Sequence, residues 1–203
     1  MAIRAVAFDI GGVLERVGDA DVWLDVWRAR LRLESGDFDD RMAQVDPRGL
    51  IGTGKMTEGE FRRGCLDAFG FSDAAADEFM ADMWDWYCGE LDTELVDYLR
   101  GLRPAYTTGI ISNSADGARR EEQLRWQFEQ LVDEIVYSHE VGVAKPDRRI
   151  YELACERLDV APHELVFLDD VQACVDGASA VGIHALLHRS TLESITAINA
   201  LLA

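Results

Sequence analysis

Basic residues are scarce in this chain of 203: 20 lysines and arginines face 38 aspartates and glutamates, a formal net charge of −18. A surface so acidic repels phosphate backbones, which argues against general nucleic-acid binding. Long apolar runs are missing too. None reaches the roughly 18 residues that a membrane-spanning helix needs. The apolar stretch from Met1 to Leu14 is broken by Arg4 and Asp9, so it does not read as a secretory signal. Only four cysteines occur (Cys65, Cys88, Cys155 and Cys174), with no Cys-x-x-Cys and no histidine at zinc spacing. Reduced thiols in a cytoplasmic protein are the expectation, with no membrane partner. The four histidines are dispersed, and His184 with His188 lies at a strand end without acidic company. Nothing in the sequence speaks to oligomeric state.

What is present is an ordinary apolar fraction of 48%, enough to build a core without disulfide or metal staples. Ile3 to Phe8 is a short apolar run that ends in Asp9-Ile10-Gly11-Gly12, a buried strand followed by a tight turn. From about Asp21 to Tyr87 the pattern is helical. Val22, Val26 and Arg30 alternate around Trp23 and Trp27 in a broad apolar face. Thr57-Glu58-Gly59-Glu60 has the form of a capping box ahead of Phe61, Cys65, Leu66 and Phe69, and Ser72 is placed to cap the next helix. Phe79, Met83 and Trp86 or Tyr87 fall at helical spacing and read as core, while the Trp84 to Tyr87 cluster looks exposed and suits an interface. After Tyr87, strand and helix alternate, with strands expected at Tyr106–Ile111, Glu134–Tyr137, Leu165–Leu168 and Ile183–Leu187. That alternation predicts an α/β fold, a Rossmann-like parallel sheet with helices on both faces. The expected organisation is a catalytic core of residues 1–18 and 89–203, with a helical cap of residues 19–88 inserted after the first strand.

Ligands of open parallel sheets bind beyond the carboxyl ends of the strands, so the polar residues that follow each apolar run are the ones to inspect. They are Asp9, Ser112-Asn113 and Asp169-Asp170, together with Lys145-Pro146 ahead of a helix. A carboxylate at Asp9 is placed to attack phosphorus or carbon. Taken singly, Asp9 reads equally well as a turn residue, Ser112 as a helix cap and Lys145 as a solvated cation. The pair Asp169-Asp170 is more telling. Adjacent carboxylates at a strand end repel one another unless a cation offsets them, and oxygen ligands of this kind suit Mg²⁺.

Together these segments resemble the haloacid dehalogenase-like hydrolase superfamily, in its capped sugar-phosphate-phosphatase-like branch, over nearly the whole chain. Phe8-Asp9-Ile10-Gly11-Gly12-Val13-Leu14 is similar to its first motif and Ile110-Ile111-Ser112-Asn113-Ser114 to its second. Gly142-Val143-Ala144-Lys145-Pro146-Asp147 is similar to the third, and Val166-Phe167-Leu168-Asp169-Asp170 to the fourth. The resemblance implies a Mg²⁺-dependent phosphohydrolase acting on a small phosphorylated metabolite. Asp9 would be the nucleophile, and Ser112 and Lys145 would hold the phosphoryl oxygens, with Asn113 and Gly12 against the substrate. Asp9, the Gly11 carbonyl, Asp169 and Asp170 would surround the metal.

Two departures stand out. Phosphatases of the family usually carry a second aspartate two residues after the nucleophile, as general acid and base, and here that residue is Gly11. Such help is typically worth about 10²–10⁴ in rate. Glu15 is near in sequence, but a glutamate in such a loop reads more simply as an exposed acid. Cys174 stands where the fourth motif usually has asparagine, which suggests a lost hydrogen bond near the acidic pair. Two alternatives stay open: a metal-independent haloacid dehalogenase, and a degenerate member that binds a ligand or protein without turnover. Gly49-Leu50-Ile51-Gly52-Thr53-Gly54-Lys55 imitates a nucleotide-binding P-loop, but Met56 replaces the metal-binding hydroxyl and no strand precedes it. It reads as a cap loop, with Lys55 within reach of a substrate if the cap folds over.

Overall fold

The computed structural model describes residues 2–203. Its centre is a five-stranded sheet formed by β1 (Ala5–Phe8), β4 (Thr107–Ser112), β5 (Glu134–Tyr137), β6 (Leu165–Asp169) and β7 (His184–Leu187), in the order β5-β4-β1-β6-β7. Every pairing is parallel. The chain returns to β1 from both sides, so the sheet changes direction between β4 and β6, which places the crevice for a ligand at the end of β1.

Why β1 is central follows from its four residues, Ala-Val-Ala-Phe, all fully buried. Alternate side chains of a strand face opposite sides of a sheet. Val6 and Phe8 join Leu95 and Leu99 of α5 (Thr93–Gly101) and Ile198 of α11 (Thr191–Leu202) on one side. Ala5 and Ala7 join Ile150, Tyr151 and Ala154 of α9 (Arg148–Arg157) and Ala178 of α10 (Gln172–Ala180) on the other. The expected strands and most of the expected helices are there, shifted by a residue or so at their ends. Helix α11 has no counterpart in the sequence reading, although Ser190 accepts the backbone N–H of Glu193 as its N-cap.

Between β1 and the rest of the sheet the chain makes β2 (Glu15–Arg16), four helices and β3 (Glu90–Leu91), and β2 pairs antiparallel with β3. The helices are α1 (Ala20–Leu31), α2 (Ser35–Val45), α3 (Glu58–Phe69) and α4 (Asp73–Cys88). They have their own core of Trp27, Phe38, Phe61, Phe69, Phe79 and Met80, separate from the two sheet cores. Phe79 lies at its centre, within 5.2–6.2 Å of the rings of Trp23, Trp27, Phe69 and Phe71. Thr57 and Glu60 form the expected reciprocal capping box, and Ser72 caps α4.

Two expectations need correction here. The buried stripe of α1 runs through Trp23, Trp27 and Leu31, while Val22 and Val26 face solvent at 71% and 48% exposure. Tryptophan, with the larger apolar area, takes the inward face. The Trp84–Tyr87 cluster is not an exposed patch either. Trp84 is buried with its indole N–H donating to Glu58 (2.6 Å), and Trp86 donates to the Gly18 carbonyl (2.7 Å). No helix among the described residues is long and apolar enough to cross a membrane.

Truncating Phe79 to alanine empties the middle of the aromatic cluster. The expected loss is about 3–5 kcal/mol of stability, measured by urea unfolding against the native protein.

Candidate active site

The four sequence segments converge at the carboxyl ends of β1, β4 and β6. Asp9 follows β1 directly, and its N–H donates to the Leu168 carbonyl (2.8 Å), which ties the first segment to the fourth. The Lys145 ammonium sits between two carboxylates, 2.8 Å from Asp9 Oδ1 and 2.6 Å from Asp169 Oδ2, with almost none of its side chain exposed. Burial opposes its charge, but Asp9 and Asp169 more than compensate and hold it above the ordinary lysine value. Burial also raises Asp9, against the pull of Lys145 and with the added push of Asp169, to about 6.

Each remaining residue has a definite place. Ser112 ends β4 and is buried. Asn113 is exposed but bonded at both ends of its amide to the Lys145 backbone: the amide N–H donates to the Lys145 carbonyl (2.9 Å) and its Oδ1 accepts the Lys145 N–H (2.7 Å). Asp169 is committed on both oxygens, one to Lys145 and the other to the Val171 N–H (2.8 Å). Asp170 is the exposed member of the pair, and partial desolvation of its carboxyl with the repulsion of Asp169 raises its pKa. The carboxylates of Asp9, Asp169 and Asp170 have oxygens that lie within 4.8 Å of one another, close enough to share one cation. Their hard oxygen donors fit Mg²⁺. The turn from Ile10 to Glu15 is closed by three backbone bonds, Gly12 N–H to Glu15, Val13 N–H to Ile10 and Glu15 N–H to Ile10. Gly12 has φ +78°, and a Cβ there would fall 2.3 Å from Asp170 Oδ2. At Gly11 a Cβ would meet only Val17 Cγ2, at 3.7 Å, so packing does not demand that glycine. Cys174 is buried, and its carbonyl accepts the Tyr151 hydroxyl (2.7 Å).

A cavity of about 270 Å³ adjoins this cluster at Asn113 and at Ala144, the residue before Lys145; it is lined by Gly49, Gly52 and Thr53 of the inserted segment, by Tyr87, and by Asn113, Ser114, Ala115, Ser138 and Ala144. The P-loop-like segment thus forms its roof. Its seat is the short helix Ser138–Val141 that follows β5: Ser138 donates to the Gly52 carbonyl (2.7 Å), and a Cβ at Gly54 would fall 2.0 Å from the His139 carbonyl oxygen. Lys55 is exposed and does not line the cavity. A larger cavity of about 530 Å³ beside Arg16, Trp23 and Trp86 contains none of the motif residues.

The sequence reading missed a second acidic centre. Glu15 is no exposed loop acid; it is fully buried, as is Glu122 of α6 (Ala118–Arg125). Tyr137 donates its hydroxyl to Glu122, but both Glu15 oxygens and Glu122 Oε1 have no partner among the described residues. Burial, then the neighbouring Glu122, raises Glu15 to about 9, and burial raises Glu122 to about 8. Both are therefore carboxylic acids in the folded protein at neutral pH. The one available signal was Glu15's closeness to the first motif; its burial depends on packing that spacing does not encode.

The comparisons follow this geometry. A family model described as haloacid dehalogenase-like hydrolase matches residues 3–182. An (S)-2-haloacid dehalogenase from Pseudomonas sp. (strain CBS-3) is 26% identical over 189 residues, 90% of this chain and 75% of the relative. A D-ribitol-5-phosphate phosphatase from Bacteroides thetaiotaomicron is 26% identical over 181 residues, 83% of each. Among solved structures, a HAD-family enzyme from Bacteroides thetaiotaomicron, in complex with magnesium and inorganic phosphate, superposes with a TM-score of 0.78 at 22% identity, covering 93% of this chain and 95% of that one.

Two predictions follow from the packing. Gly12→Ala, which meets Asp170 and requires a left-handed backbone, is expected to displace the Asp170 carboxylate and lower the Tm, read by thermal unfolding against the native protein. Glu15 and Glu122 are protonated when folded but ionise near the ordinary 4.5 when unfolded. The folded state then binds more protons, so stability falls as pH rises from about 4.5 towards 8–9. Glu15→Gln should flatten that decline, seen as a smaller drop in Tm between pH 5 and pH 8.

Proposed function

We propose that this chain, which belongs to the haloacid dehalogenase-like hydrolases by its match over residues 3–182, is a Mg²⁺-dependent phosphohydrolase of small phosphorylated metabolites. The observation that carries the reading is the cluster of three carboxylates, Asp9, Asp169 and Asp170, with one buried ammonium paired to the first two. Three carboxylates against one lysine leave an excess of negative charge, and an anionic substrate enters such a site only if a further cation is present.

In this reading an Asp9 carboxylate oxygen attacks phosphorus in line and forms an aspartyl-phosphate, which water then hydrolyses. Lys145 holds Asp9 in position and meets the charge on the transferring group, and the Asn113 clamp on its backbone fixes where that charge sits. Ser112 is placed at the strand end to hydrogen-bond a phosphoryl oxygen, with Gly12 letting the backbone come close. Asp9, Asp170 and the Gly11 carbonyl would hold the metal, with Asp169 orienting the group through Lys145. When bound, Mg²⁺ supplies positive charge that offsets both the carboxylates and the phosphoryl oxygens. The roof segment Gly49–Gly54 restricts the space for the leaving group and keeps bulk water away. Support for a phosphate substrate also comes from the relative named as a D-ribitol-5-phosphate phosphatase. A sugar or polyol phosphate is the class to try first.

The dehalogenase relative sustains a second reading, in which Asp9 attacks carbon and no metal takes part. Asp170 weighs against it, since an exposed acid beside Asp9 and Asp169 hinders carbon chemistry and gains nothing without a cation.

Phosphate release from sugar phosphates and 4-nitrophenyl phosphate, with and without Mg²⁺, separates the readings from chloride release on 2-chloropropionate. Phosphate release is expected, lost on chelation and lowered at least about 10³-fold in Asp9→Asn. Chloride release that survives chelation would reverse the assignment. Lys145→Ala is expected to cost about 10²–10³ in kcat as well, by removing the cation at the transferring group.

A further inference from the structure

The phosphohydrolase reading, on which this inference rests, leaves the leaving group without an acid at position 11. The cavity offers few replacements. Of its polar side chains, Asn113 has both ends of its amide on the Lys145 backbone. The Ser114 hydroxyl pairs with His139 Nδ1 (2.9 Å), Ser138 donates to the Gly52 carbonyl, and Thr53 donates to the Leu50 carbonyl (3.3 Å). Glu15 and Glu122 are fully enclosed and cannot touch a substrate. The Tyr87 hydroxyl is different. It belongs to a residue that lines the cavity, and it has no hydrogen-bond partner among the described residues.

Its position is also fixed. The Tyr87 ring meets Trp84 edge-on, with centroids 5.2 Å apart. Trp84 donates to Glu58, and Glu58 accepts from both terminal guanidinium nitrogens of Arg120 in α6, each at 2.9 Å. The Glu58 N–H in turn donates to Asp116 (2.8 Å), so Arg120 and Asp116 hold Glu58 of α3, and Glu58 anchors Trp84 of α4. The carboxyls of Glu122, Glu15 and Asp9 lie near the phenol. With burial as the main cause, they keep its pKa well above the ordinary tyrosine value, so it rests as a neutral donor.

We propose that Tyr87 is the proton donor to the leaving-group oxygen of an aliphatic phosphate monoester. As the Asp9 Oδ–P bond forms, the P–O bond to the alcohol breaks and the departing oxygen takes the phenolic proton. In the second step water attacks the aspartyl-phosphate, the Asp9 carboxylate and inorganic phosphate are released, and one water proton returns to the phenolate. Charge and atoms balance over the two steps without a further reactant. Because Tyr87 sits one residue before the end of α4, next to the Cys88–Gly89 junction into β3, a movement of the helical segment carries the donor with it. Proton delivery is thereby linked to the position of the roof.

The test compares Tyr87→Phe with the native enzyme by kcat/KM, which reports the first step, over 4-nitrophenyl, phenyl and benzyl phosphate with Mg²⁺ present. The expected loss grows as the leaving group worsens, from about threefold for 4-nitrophenyl phosphate to about 10²-fold for benzyl phosphate. A loss of the same size on all three, or none on any, overturns the donor role while leaving the phosphohydrolase reading intact. Absence of phosphate release from 4-nitrophenyl phosphate by the native enzyme overturns both.

Discussion

The site depends on one ammonium group held out of water between two carboxylates. Lys145 cannot be buried alone, because taking a charge from water costs several kcal/mol. Asp9 and Asp169 make that burial tolerable, and they do so from the ends of adjacent parallel strands, β1 and β6. The sheet order is therefore part of the electrostatics. Only at the point where connections diverge on either side of β1 do three strand ends leave room for a lysine arriving from a separate loop. Asn113 completes the arrangement by gripping the Lys145 backbone from the end of β4. The four motifs are one bonded unit, and each needs the others to keep its charge in place.

The inserted helices are held to this unit in a different way. Their aromatic core is self-contained, whereas the bonds recorded across the junction are polar: Ser138 to Gly52, Glu58 to Arg120 and Asp116, and Arg125 to Asp85. Partly exposed ion pairs are each worth about 0–1 kcal/mol. A layer with its own core and a weakly bonded junction moves as a body more readily than it unfolds. That suits a segment whose residues Gly49, Gly52 and Thr53 form one wall of the cavity, because a shift of the segment would change the cavity's shape.

Much of this was legible in the sequence, and the reason is local. Apolar runs predict buried strands, and polar residues at their ends predict where chemistry collects, so Asp9, Ser112, Lys145 and the Asp169-Asp170 pair could be named from pattern alone. Asp169 and Asp170 could not be told apart, because their division of labour depends on which oxygen meets Lys145. Asn113 looked like a substrate ligand, and its grip on a backbone 32 residues away has no signature in spacing. Val22 and Val26 misled for a related reason: an apolar residue on a helix marks a face only when its neighbours agree, and Trp23 and Trp27 outweighed them. Glu15 was misjudged because a carboxylate in a loop is ordinarily solvated, and nothing nearby in sequence shows that α6 closes over it.

The glycine at position 11 and the glutamate at position 15 belong to one turn, and their consequences are connected. The three backbone bonds that close Ile10 to Glu15 bring Gly12 against Asp170 on one side and turn Glu15 inward on the other. A turn this tight sets the approach of the backbone to the acidic cluster, and at position 11 it leaves open space rather than a forbidden one. The missing acid is thus a choice of residue, not a demand of packing. Glu15 does not fill that space; it lies fully enclosed beneath it, protonated beside a protonated Glu122. Two neutral acids near Asp9 add no charge to a site that already carries too much. Were they ionised, the excess around Lys145 would grow and an anionic substrate would face a steeper barrier. Burying these carboxyls in the neutral form lowers the stability of the fold at high pH, and in exchange adds no further negative charge beside Asp9 and Lys145.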